Sequence, residues 1–243
     1  MNSLLAVLLL FPAVVMYHRV DPAIPGNALS ARLTISPVQF AAELRSIHHL
    51  GLRTIGIDEL VRDVMHGQLP ENAVLLTFDD GYGDQFGDAF PILRRFGDQA
   101  TFFVNPGTVG APGHLTWPQI AAMSRAGMSI ECHGVDHVDL AELAPEAQSY
   151  QIETCVHELS ARLQSAVRAF AYPSGAFDAQ TIELERRAGV WLGFTTDPRF
   201  ASDLHSPYQI TRIRVINGMS DSFFEALLQR DRVYIAEPAA LSP

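Results

Sequence analysis

The sequence predicts an α/β fold, a single-domain distorted (β/α) barrel of about seven strands. Two observations point there. Short apolar runs alternate with amphipathic stretches along the whole chain. No Gly/Ser/Pro linker, repeat or low-complexity segment interrupts the alternation. The alternation fits a doubly wound sheet as well as a barrel, and the number of strands favours the barrel. One domain is expected over residues 1–243, with a core of about 13–230.

Taken in order, AVVMYH (13–18) reads as the first strand. Ser36-Pro37 is a cap followed by proline at the first helical position, and Phe40, Leu44 and Ile47 share a helical face. Asp58 is expected to cap a second helix that Gly67 stops. Ala73 to Phe78 is continuously apolar, as in a strand buried on both faces. Gly83 to Phe96 reads as a helix that kinks or restarts at Pro91. Strands follow at ATFFV (100–104), MSIECH (128–133), VRAFAYP (167–173), WLGFTT (191–196) and RIRVI (212–216). Helices are expected at Trp117–Ala126, Pro145–Gln164, Asp178–Ala188 and Ser220–Arg230.

Composition excludes some functions. Hydrophobic residues form 48% of the chain, enough for a buried core. The net charge of −10 argues against nucleic-acid binding, which needs a basic face. The apolar run from Leu4 is too short to span a membrane, and no Lys or Arg precedes Arg19 to form the charged region of a signal peptide. It reads as a lead-in to a buried first strand. Cys132 and Cys155 form no CxxC pair and read as buried small hydrophobes. Composition does not address oligomeric state.

Chemistry-bearing residues gather at the C-terminal ends of predicted strands, where barrels carry their active sites. AVLLTF ends in Asp79-Asp80-Gly81. Alone this reads equally as a solvated turn, but two carboxylates ending a buried strand call for a partner such as a metal. MSIECH ends at His133, with His137 four residues on, a spacing that lets two imidazoles converge on one ion. Two His and one Asp leave coordination positions open, the catalytic pattern. Tyr172-Pro173-Ser174-Gly175 closes another strand and could turn backbone N–H groups toward a pocket, or could be an ordinary turn. His48, His49, His66, His114 and His157 carry no motif. Trp117 and Trp191 read as core residues before sugar platforms.

Together, LTFDDGY (76–82), ECHGVDHVDL (131–140) and FAYPSG (170–175) resemble the polysaccharide deacetylase family, also called the NodB-homology or carbohydrate esterase four family. The resemblance runs from about Val14 to Val215. It implies hydrolysis of N-acetyl groups on N-acetylglucosamine-containing glycans. It also implies Zn2+, or another divalent transition metal, on Asp80, His133 and His137. Asp79 would be the base. Tyr82, Tyr172, Pro173, Ser174 and Gly175 would contact substrate or oxyanion, with the Ser174 N–H the expected oxyanion donor. The family's third motif begins with Arg where this chain has Ala171, and its late Leu-x-His has no counterpart, since His205 sits in a polar segment. The chain is similar in these respects to the permuted poly-β-1,6-N-acetylglucosamine deacetylases, which carry Tyr-His at the first strand and Ala-Tyr-Pro later. Here these are Tyr17-His18 and Ala171-Tyr172-Pro173. That arrangement makes His18 the acid and Arg212 the candidate for the missing arginine. A small-amide amidase and an inactive glycan-binding module are the alternatives. The implied substrate suggests the cell envelope, and the missing export signal the cytoplasm.

Overall fold

The computed structural model describes residues 11–197 and 206–230. His205, the first part of the apolar N-terminal run and the segment after Arg230 lie outside them. Ten strands occur among the described residues: β1 (Ala13–Tyr17), β2 (Arg19–Val20), β3 (Thr34–Ile35), β4 (Arg53–Ile55), β5 (Ala73–Phe78), β6 (Thr101–Val104), β7 (Ser129–Cys132), β8 (Ala169–Ala171), β9 (Leu192–Phe194) and β10 (Ile213–Arg214). Seven form one parallel path, β10-β1-β5-β6-β7-β8-β9, with β4 pairing the start of β5. β2 and β3 form a separate two-stranded ribbon.

Parallel strands need crossovers, and helices supply them, covering the outer face of the sheet. The sheet curls, and the chain spans the gap between its ends. Ile210 bridges to Phe194 beside β9, and Ile213 pairs with Val15 of β1. This is the distorted barrel expected.

Strand periodicity divides the core in two. Val15, Tyr17, Val74, Leu76, Phe78, Phe102 and Phe170 belong to the larger cluster, which packs with helical residues such as Phe40, Leu44, Ile120 and Leu159. Val14, Leu75, Phe103, Ala171, Leu192 and Phe194 form a second cluster with Ile210. In β5, Ala73 and Leu75 therefore face the second cluster, and Thr77 and Asp79 continue that alternation.

Several local expectations needed correction. Gly56, not Asp58, caps the helix Ile57–Met65, and Asp58 lies within its first turn. The strands around 191–196 and 212–216 are shorter than the apolar runs. β2, β3, β4 and the helix Ala28–Leu33 went unread, being too short to display a period. Two helices contain five-residue π-turns, Gln85–Ala89 and Tyr150–Thr154. Trp191 is exposed rather than packed in the core.

Cys132 and Cys155 are bonded as a disulfide, not two separate hydrophobes. The bridge ties the end of β7 to the start of the helix Cys155–Leu163 and closes the segment that holds both motif histidines. Closing a loop of 23 residues removes chain entropy worth about 3 kcal/mol from the unfolded state. Replacing both cysteines by serine should lower the unfolding free energy by about that amount. Urea denaturation of the oxidised, reduced and substituted chains measures it; equal midpoints would contradict a stabilising bridge.

Candidate active site

The parallel register of β1 and β5 brings the first two motifs together. Tyr17 pairs with Phe78, so His18 follows one strand as Asp79 follows the other. Asp79 N–H donates to Tyr17 O at 3.0 Å. The Gln85 amide, fully buried in the first π-turn, then donates to both His18 O (2.8 Å) and Asp79 O (2.6 Å). Gln85 had no signal in the sequence, because a glutamine in a helix announces nothing about which carbonyls it will meet.

Asp79 and Asp80 face different surroundings. The Asp79 carboxylate lies buried, where Arg212 Nη1 donates to its Oδ1 at 2.7 Å. The Arg212 guanidinium also reaches Thr77 Oγ1 at 3.3 Å and lies over the Phe103 ring. Burial alone would raise the Asp79 carboxyl, but Arg212, then His133 and His18, outweigh it and hold it below its ordinary value. Asp80 adopts a left-handed backbone, with φ at 72°. Its Oδ1 lies 3.3 Å from His133 Nε2 and 3.2 Å from His137 Nε2. Burial opposes ionisation of Asp80, yet the two imidazoles hold its carboxyl far below normal.

The three atoms on Asp80, His133 and His137 face one another within 4.8 Å. Asp80 Oδ1 nevertheless makes no well-formed hydrogen bond, although it is buried. An anionic oxygen and two imidazole nitrogens around a common point, without hydrogen bonds between them, fit a divalent metal. His133 supports this. Its Nδ1 lies 2.7 Å from Ala171 O, an acceptor only, so Nδ1 carries the proton and Nε2 presents its lone pair. The buried Asn105 amide donates to His133 O and Gly134 O.

His18 lies at the same strand ends, its charge environment set by Asp79, Asp80, Arg212 and His133. Its Nδ1 is buried without a hydrogen-bond partner. Burial lowers its pKa, the two aspartates oppose this, and Arg212 and His133 add to the lowering.

In the third motif, Pro173–Gly175 forms a 3-10 turn with Ser174 at φ 58°. Thr195 Oγ1 donates to Gly175 O (2.7 Å) and Thr196 Oγ1 to Ser174 O (3.0 Å), fixing the turn. Gly175 is needed: its φ is 81°, and a Cβ there would sit 2.2 Å from Thr196 Oγ1. Tyr172 departs from expectation. Its side chain is fully buried, its hydroxyl 2.9 Å from both Glu185 Oε2 and Tyr208 O, its ring stacked on Phe177. It cannot touch substrate and serves as a core anchor. Tyr82 is half-buried between the Arg19 guanidinium and the His114 ring, two contacts that no sequence motif marks. Burial and then the Asp80 carboxylate raise its phenol.

Among the described residues, five non-glycine residues have positive φ, and three are Asp80, His137 and Ser174. Such strain persists only where the surroundings enforce it, commonly at functional sites. A cavity lined by Asp58, Glu59, Arg62, Ser129 and Glu131 is a separate feature and shares no residue with this cluster.

The family profile described as Polysaccharide deacetylase matches residues 66–192. The chain belongs to the polysaccharide deacetylase family. The homologue YxkH of Bacillus subtilis (strain 168) is 32% identical over 217 residues, covering 89% of this chain and 75% of that one. The poly-β-1,6-N-acetyl-D-glucosamine N-deacetylase of Staphylococcus epidermidis is 22% identical over 236 residues, 88% of this chain and 80% of that one. Among solved structures, the Streptococcus pyogenes deacetylase PplD, in complex with acetate, superposes with a TM-score of 0.83 at 30% identity, covering 89% of this chain and 97% of that one. IcaB from Ammonifex degensii gives 0.77 at 28%, covering 90% and 97%.

The buried ion pair yields a prediction. Arg212→Met leaves the Asp79 charge unpaired and should cost about 3–5 kcal/mol. The double change Asp79→Leu with Arg212→Met should recover most of that loss. Since the folded-state value of Asp79 lies below its ordinary 3.8, the stability it contributes is complete above that ordinary value. It is lost as the pH falls through the lower, folded-state value. Urea titrations of the three chains across pH measure both effects.

Proposed function

We infer that this polysaccharide deacetylase family member is a metal-dependent hydrolase that removes N-acetyl groups from N-acetylglucosamine-containing glycans. The observation that carries the reading is the convergence of Asp80 Oδ1, His133 Nε2 and His137 Nε2 beside an Asp79 held apart on Arg212. Zn2+ or another divalent transition metal, held by that triad, would polarise the acetyl carbonyl and acidify a bound water.

The chain's own residues divide the remaining work. Asp79 acts as general base and takes a proton from the attacking water. Arg212 keeps Asp79 ionised and engages Oδ1, which leaves Oδ2 as the accepting oxygen. The turn at Ser174 offers its N–H to the developing oxyanion. His18 gives a proton to the leaving amine. Its depressed pKa makes the imidazolium a stronger acid, so transfer to an amine is downhill once it is protonated. Pro173 and Gly175 hold the turn, and the Tyr82 hydroxyl faces the Asp80 side of the site. Support for a glycan substrate comes from the named activity of the Staphylococcus epidermidis relative and from the open site, where Ser174 is exposed and the His137 side chain is 42% exposed. An amidase for a small molecule would be better served by an enclosed pocket. No helix among the described residues is long and apolar enough to cross a membrane.

Acetate release from N-acetylglucosamine oligomers, with and without Zn2+, tests the reading. Asp79→Asn and His18→Ala should each lower kcat by about 10²–10⁴-fold while one Zn2+ per chain is retained. No acetate from a range of such oligomers with metal bound would contradict the assignment. Loss of the metal in Asp79→Asn would contradict the division of roles between the two aspartates.

A further inference from the structure

His133 and His137 are held very differently. His133 directly follows β7, is buried, and has its ring fixed by the Ala171 carbonyl. His137 is part-exposed and follows residues 134–136, which belong to no helix or strand. Its approach to Asp80 therefore depends on how that short connection is held.

One buried side chain spans it. Gln151 Oε1 accepts from Val135 N–H at 2.7 Å and from Asp136 N–H at 3.0 Å, while Nε2 donates to Asp136 Oδ2 at 3.0 Å. All polar atoms of this amide are used, and Gln151 is 5% exposed. Gly134 has φ at 73°, and a Cβ there would lie 3.3 Å from Gln151 Oε1, so the connection is pressed against the amide. Gln151 sits in the π-turn Tyr150–Thr154. Each residue of an α-helix advances the face by about 100°, so the extra residue of a π-turn re-aims its side chains, and such turns recur at functional sites.

We propose that Gln151 is a positioning residue for metal binding: through Val135 and Asp136 it sets the backbone that delivers His137 to the ion. The proposal rests on the reading of Asp80, His133 and His137 as metal ligands. Gln151 touches neither substrate nor the reacting atoms. Outer-sphere hydrogen bonds of this kind change metal affinity by about 10–100-fold.

The test is the Zn2+ dissociation constant of the full chain, measured by chelator competition well below the melting temperature. Gln151→Ala should weaken Zn2+ binding by about 10–100-fold, with turnover returning toward wild type at saturating Zn2+. Gln151→Glu alone keeps the acceptor for the two backbone N–H groups but sets a second carboxylate against Asp136, so it should also weaken binding. The exchange of Gln151→Glu with Asp136→Asn keeps both bonds from the backbone N–H groups and restores the side-chain bond with donor and acceptor reversed. It should bring the constant back to within about threefold of wild type. A merely structural glutamine would lower the melting temperature of the metal-free chain and leave the Zn2+ constant unchanged. That result in Gln151→Ala, or in Gln151→Glu should the alanine chain not fold, overturns the proposal, as does failure of the exchange to restore binding. A wild-type chain that binds no Zn2+, or an Asp80→Ala chain that binds it as tightly, overturns the metal reading itself. That outcome is distinguishable because it arises with Gln151 intact.

Discussion

The buried pair of Asp79 and Arg212 is the interaction on which the rest of the site depends. Neither charge is tolerable alone in so dry a place. Arg212 belongs to the segment that spans the gap in the sheet, between the Ile210 bridge to β9 and the pairing of Ile213 with β1. The pair therefore joins the lead into β10 to the end of β5, across the intervening β1. It also gives Asp79 a role separate from that of its neighbour. Asp79 continues the alternation of β5 and meets Arg212, whereas Asp80 turns into a left-handed backbone and meets two imidazoles. Two carboxylates adjacent in sequence thus acquire different partners without competing for one.

The backbone around the site is held by side chains that satisfy its carbonyls. Gln85 binds the carbonyls of His18 and Asp79, Asn105 those of His133 and Gly134, and the Thr195 and Thr196 hydroxyls those of Gly175 and Ser174. The disulfide closes the base of the histidine segment. Apart from the Gln85 bond to Asp79, each support spans 20 or more residues of sequence. The site is therefore a product of the curled sheet rather than of any one loop, which is how three residues at positive φ can persist.

Much of the fold was legible in the sequence because long buried strands and amphipathic helices carry strong periods. Ala73–Phe78 and Pro37–His49 were readable for that reason. Strands of two or three residues, such as β2 to β4, have no period to read. The π-turns were invisible because they preserve helical composition while changing register. Asp79, Asp80, His133 and His137 stood out by residue type and spacing. Arg212 entered only through resemblance to a subgroup, and its contact with Asp79 spans 133 residues. The pairing of Cys132 with Cys155 was missed because two cysteines without a motif do not reveal whether the fold brings them together. Tyr172 was misjudged because a motif gives a position on a strand end but not which way its side chain points. Here the ring turns inward onto Phe177, Glu185 and Tyr208.

The central claim is a division of labour among four residues: three on the metal, and Asp79 off it on Arg212. A crystal structure of the Zn2+-loaded chain, with anomalous scattering recorded at the zinc edge, measures this most directly. The account predicts one strong peak at about 2.0–2.2 Å from Asp80 Oδ1, His133 Nε2 and His137 Nε2, with Asp79 still bonded to Arg212. A peak ligated by Asp79, or one lying away from the two imidazoles, would contradict it.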